Sequence, residues 1–158
     1  MITATVKQLK DELKHKEKEE LVELCLAMSK FKKDTKELLT YLLFEAHDEE
    51  SYISGVKAEI TEDFMDMNTS SIYFVKKSTR KILRNTKKYI RYSKNKQTEA
   101  ELLIHYCQEL KDVRPSINRS TQLKNLFDKQ LELAKKAINT LHPDLQYDYE
   151  LELEGLEG

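Results

Sequence analysis

From Ile72 to Ile90 the apolar residues Ile72, Val75, Ile82, Leu83, Tyr89 and Ile90 return at helical spacing, with Thr79 and Thr86 in the same stripe. The other side is crowded with cations. Residues 76–96 hold ten Lys and Arg and no Asp or Glu. Of these, Lys77, Arg80, Lys81, Arg84, Lys88 and Arg91 step by three or four along the chain. The stretch from Ser70 to Lys96 therefore reads as one long amphipathic helix. Its greasy face demands a core, and its basic face demands a negative counterpart, inside the molecule or outside it. Lys77, Arg80, Lys81, Arg84, Lys88 and Arg91 are the candidate residues for binding an anionic partner.

Helical spacing recurs on both sides of this stretch, and no segment alternates as a strand would. Only three Gly and two Pro interrupt the chain, a composition suited to helices with solvated outer faces. Thr5 with Gln8, Asp34 with Glu37 and Thr98 with Glu101 have the capping-box form. Asp48 is placed to cap a helix whose first turn holds Glu49 and Glu50. Asp112 to Ser120, with Pro115, reads as a loop. The expected fold is all-α, with seven or eight antiparallel helices in a compact bundle or a short helical-hairpin stack. The expected pairs are 17–29 with 34–46, 48–67 with 70–92, and 98–112 with 121–141. Residues 1–154 are expected to form a single domain, with 155–158 a disordered tail.

The segment from Leu38 to Phe44 is the greasiest in the chain and is expected to be the most deeply buried. Leu39, Leu42, Leu43, Ile60, Phe64, Ile82, Leu83, Leu103, Phe127 and Ile138 are the expected core. Exposure of several of them together would mark an interface. Gly55, mid-helix between Ile53 and Val56, is expected where two helices approach closely.

The net charge of −1 hides a segregation. Without the ten cations of 76–96 the chain has 17 basic against 28 acidic residues. Acids gather at 45–66 and again at 142–158. Folding the acidic helix 48–67 back on the basic one would bring Asp63 near Lys76, Glu59 near Arg80, and Glu49 or Glu50 near Lys88. Three destinations for the basic face follow: internal pairing, an acidic protein partner or self-association, and nucleic acid, for which Tyr73, Tyr89 and Tyr92 interleave with the cations.

Three segments carry a resemblance: Lys36-Glu37-Leu38-Leu39-Thr40-Tyr41-Leu42-Leu43-Phe44-Glu45, Lys87-Lys88-Tyr89-Ile90-Arg91-Tyr92, and Leu141-His142-Pro143-Asp144-Leu145-Gln146-Tyr147-Asp148-Tyr149. Together they resemble a family of small bacterial all-helical proteins of unknown function. That resemblance implies the fold and no activity. His142-Pro143-Asp144, following Lys135 and Lys136, also resembles the tripeptide of J-domain co-chaperones. The alternative for it is a helix boundary with Pro at the first position.

Little in the chain points to catalysis. His15, His47, His105 and His142 are scattered, and no CxxC or HxxxH spacing occurs. Glu101 and His105, one turn apart, read as a surface pair. No nucleophile elbow or phosphate-cradling loop is present. Cys25 and Cys107 sit in apolar patterns and read as buried, reduced thiols. The first residues lack a secretory h-region, and no apolar run approaches about 18 residues. The expectation is a cytoplasmic, non-enzymatic protein without cofactor, metal site or membrane partner. Its charged faces are expected to mediate protein association, and the alternative is a nucleic-acid-binding module.

Overall fold

The computed structural model describes residues 1–157. Among them the chain is helical over 81% of its length and has no strand. The helices are α1 (Val6–Leu13), α2 (Lys18–Phe31), α3 (Lys33–Thr40), α4 (Glu49–Asp66), α5 (Ile72–Ser93), α6 (Lys96–Lys111), α7 (Thr121–Ile138) and α8 (Pro143–Glu157). A π-helical segment, Tyr41–Glu45, follows α3, and a 3-10 turn, Ile117–Arg119, precedes α7. Where one domain was expected over 1–154, the chain groups into two compact units, Met1–Phe44 and the residues from Glu45 onward. Residues 155–157, expected in a tail, continue α8 and bury Leu156. The last residue of that expected tail, Gly158, lies outside the described residues.

In the first unit Thr5 makes the capping box read from the sequence. Its backbone N–H donates to Gln8 Oε1 at 2.8 Å, and Gln8 N–H donates to Thr5 Oγ1 at 3.2 Å. Helices α2 and α3 pack together, but none of α1, α2 and α3 contains a buried residue. The greasiest segment is not the most buried. Leu39 is half-buried, and Leu42 and Leu43 are 57% and 62% exposed. Four consecutive apolar positions cannot share one helical face, so hiding all of them requires neighbours on every side. A 44-residue unit has too few. Tyr41 alone turns inward in the π-helical segment. Asp34 lies inside α3 rather than at its cap, which is Lys32.

The second unit is arranged around α6, which packs against α4, α5, α7 and α8. Half of α6 is buried, including Leu102, Leu103, Tyr106 and Leu110. Tyr106 packs at a tilt against Phe64 of α4, ring centroids 5.5 Å apart. Its hydroxyl donates to the Thr79 carbonyl of α5 at 2.8 Å. The expected core residues Ile60, Phe64, Ile82, Leu83, Leu103, Phe127 and Ile138 are all buried. Thr79 and Thr86 are buried too, each donating to the carbonyl four residues back. Such internal bonds let a hydroxyl enter an apolar stripe without an unmet donor. The expected pairs α4 with α5 and α6 with α7 pack together.

Two helix starts in this unit fall as read, with Asp48 Oδ1 accepting from Ser51 N–H at 3.2 Å and Pro143 opening α8. The third differs. Asn95 caps α6, accepting from Gln97 and Thr98 N–H at 2.9 and 3.2 Å. Thr98, read as the cap, is buried inside the helix. A Cβ added at Gly55 would meet no atom within 4 Å, so no close helix approach explains this glycine.

Candidate functional site

Helix α5 begins at a Ser71 cap, its hydroxyl facing Phe74 N–H at 3.5 Å, and runs 22 residues. Its buried residues Val75, Thr79, Ile82, Leu83 and Thr86 fix which side turns to α6. The cations are thereby forced outward. Lys77, Arg80, Lys81, Arg84 and Arg91 are all exposed. Lys88 is half-buried, with its Nζ 5.9 Å from the Tyr89 ring centroid. At helical pitch the six positions share an arc of about 100° and a length of about 21 Å.

Neither Asp63 with Lys76 nor Glu59 with Arg80 forms the ion pair that the sequence implied. Glu59 accepts from the Tyr89 hydroxyl at 3.0 Å. Glu49 Oε2 accepts from the hydroxyls of Ser93 and Thr98, tying α4 to the junction of α5 and α6. Arg80 reaches the other way, donating from Nη2 to Gln122 Oε1 of α7 at 3.4 Å. Among the described residues, none of Lys77, Arg80, Lys81, Arg84 and Arg91 has a carboxylate oxygen within 4.0 Å.

Helix α7 adds to the charge. Partial burial holds the Lys87 ammonium below its usual range, and the neighbouring cations Lys129 and Arg91 push the same way, while Glu99 opposes them. Arg80–Gln122 and Lys87–Lys129 share the same sequence offset, so α5 and α7 run in the same direction with α6 between them in the chain. Lys129 of α7 therefore stands near enough to α5 to act on Lys87, and the sequence reading missed it.

The aromatic residues divide. Tyr73 is 63% exposed at the start of α5, edge-on to Phe74 at 5.3 Å. Tyr89 and Tyr92 are half-buried. The Tyr52 hydroxyl donates to the Tyr89 carbonyl at 2.8 Å.

The remaining candidates go to structural partners. His105 meets Thr61 Oγ1 at 2.8 Å and Glu109 Oε1 at 3.7 Å rather than Glu101. Burial is the main cause holding it below its usual value. Glu101 instead faces Tyr149, whose hydroxyl is raised first by burial and then by that carboxylate. His142 Nδ1 accepts from Asp144 N–H at 3.2 Å, the geometry of a helix start. Cys107 is buried, which pushes its thiol up to about 12. Cys25, expected to be buried, is exposed. A cavity of about 630 Å³ between α7 and the end of α8 carries Lys111, Arg114, Lys124 and Lys135. Three of these are engaged already: Lys111 with the Leu156 carbonyl at 3.0 Å, Arg114 with its own Val113 carbonyl at 3.1 Å, and Lys135 with Glu157. No group of three His, Cys, Asp or Glu stands together for a metal among the described residues.

Fold and site together define an all-α protein with a basic face on α5. No family model matches the chain, and neither a curated protein nor a solved structure matches it. Among the described residues, no helix is long and apolar enough to cross a membrane.

Proposed function

We propose that this protein is a non-enzymatic association module of the cytoplasm, and that the basic face docks an acidic segment of a protein partner. One observation carries the reading: five exposed cations of α5 stand without a carboxylate within 4.0 Å, although acid-rich α4 packs on the same helix. Uncompensated like charges cost stability, and their retention in one place has an external use. The rim of an acidic complex supplies what α4 does not, with charge steering the encounter.

A second reading, single-stranded nucleic acid, is favoured by exposed Tyr73 beside Lys76 and Lys77, because a base can stack on an exposed ring next to cations.

The double substitution Arg84→Glu, Arg91→Glu separates these from internal pairing. The expected outcome is unfolding stability that holds or rises in urea, with loss of binding to an acidic peptide probe measured by fluorescence anisotropy. Internal pairing instead predicts a loss of about 1–2 kcal/mol that shrinks in high salt. For the nucleic-acid reading, an oligonucleotide probe replaces the peptide as the tighter ligand. Its affinity then falls with salt at a log–log slope near −0.7 per phosphate neutralised.

A further inference from the structure

Helix α8 carries the opposite charge to α5. Residues 142–158 hold six acids and no Lys or Arg. Tyr149, Leu153 and Leu156 are buried and fix which side of α8 turns to the bundle. On the opposite side, at helical pitch, stand Tyr147 and Leu151, 63% and 52% exposed. Exposed acids flank this apolar pair, Asp144 and Asp148 along one edge and Glu150 and Glu154 along the other. Among the described residues, none of Asp148, Glu150 and Glu154 has a Lys, Arg or His nitrogen within 4.0 Å, and Asp144 has His142 Nδ1 at 3.7 Å.

The basic face of α5 has the same make-up with the sign reversed. Tyr73, Lys77, Arg80, Arg84 and Arg91 follow one another in steps of three, four and seven, so Tyr73 lies in line with the exposed cations. Phe74, 39% exposed, lies beside it, two turns before Lys81. The face therefore opens with an exposed aromatic pair and continues in cations. A nucleic-acid strand repeats base and phosphate along its length and calls for rings all along its track. From Lys77 to Arg91 the aromatic residue is Tyr89, which is half-buried. An apolar contact followed by acids suits this face better.

Taking the α5 face as a dock for an acidic protein segment, we infer that the segment is α8 of a second copy of this chain. Tyr147 and Leu151 cover Tyr73 and Phe74, and the acids beside them meet the cations. Apolar burial supplies the driving force, and the opposite charges select the partner. Like faces reject each other, since α8 on α8 sets acid against acid and α5 on α5 sets base against base. Every copy carries both faces. Made twice within a pair, the contact closes a two-fold dimer, and made once it continues head to tail.

The test follows the full chain by analytical ultracentrifugation across micromolar concentrations. The wild type is expected to associate as its concentration rises, and less so in high salt. The α5 variant (Arg84→Glu, Arg91→Glu) and the α8 variant (Asp148→Lys, Glu150→Lys, Glu154→Lys) are each expected to be monomers. Mixed in equal amounts, they are expected to form a complex containing one of each, because the acidic α8 of the first meets the basic α5 of the second. Leu151→Gln, which changes no charge, is expected to weaken association by at least about tenfold. It also serves if the α8 variant loses its circular-dichroism helix signal. A monomeric wild type would overturn the inference. So would association untouched by Leu151→Gln and the α8 variant, or two charge variants that stay apart when mixed. The acidic-peptide assay tells these failures from failure of the dock itself. A monomeric wild type that still binds the peptide through Arg84 and Arg91 keeps the dock and loses this occupant, and one that binds no peptide loses both.

Discussion

Lys94 closes α5 with φ at 56°, the only non-glycine residue with positive φ among those described, and its N–H donates to the Ile90 carbonyl at 2.9 Å. A Cβ is strained in that conformation, which glycine adopts freely. Lys94→Gly is therefore expected to raise unfolding stability by about 0.5–1 kcal/mol in urea titrations. Gly55 is the reverse case. It sits in the interior of α4, exposed, with nothing for a methyl group to meet. Gly55→Ala should add about 0.5–1 kcal/mol by removing backbone freedom from the unfolded chain. The two cysteines read alike in sequence, since each sits among apolar neighbours at helical spacing. They differ because α6 has helices on several sides and α2 does not. In dilute native protein a thiol reagent should titrate Cys25 quickly and Cys107 only after denaturation.

The helices themselves were legible, because spacing and caps are local properties. Thr5, Asp48 and Pro143 start helices as their chemistry dictates. Thr98 does not, because Asn95 offers a cap one turn earlier and the Thr98 hydroxyl is taken by Glu49. Tertiary demand overrode the local signal there. The junction of α4 and α6 carries a testable pH response. Thr61 and Lys57 of α4 face His105, and Glu109 faces it from α6 itself. Burial, the largest cause, disfavours the imidazolium, Glu109 favours it, and Lys57 acts on it both ways. The folded state thus holds the histidine proton less tightly than the unfolded chain, whose value is near 6.5. By linkage, the stability from this group is present above that value and is lost as the pH falls through the lower folded value. Urea midpoints should drop between pH 7 and pH 5.5 more in the wild type than in His105→Gln.

The separation of charge along the chain was readable, but the destination of the charge was not. Antiparallel folding of α4 on α5 set an obvious register for ion pairs. The rotation of α5 about its own axis decides which side chains meet, and packing against α6 sets that rotation. Val75, Ile82 and Leu83 turn inward, so Arg80 leans toward Gln122 rather than Glu59. One consequence is measurable. Lys129→Gln removes a cation beside Lys87, so at low salt it should stabilise the fold, with the gain vanishing at high salt. Burial in the core of the second unit was legible from periodicity alone. The failures, Leu42 and Leu43, lie in the first unit, which is too small to cover them. The central place of α6 also bears on synthesis. Translation delivers α4 and α5 before α6, but Cys107 of α6 waits for Phe127, and Lys111 waits for the carbonyls at the end of α8. While the ribosome is still making α7 and α8, one flank of α6 stands bare. A nascent chain stalled before residue 121 therefore presents an apolar helix to chaperones and proteases, and the second unit closes only when its last helix is released.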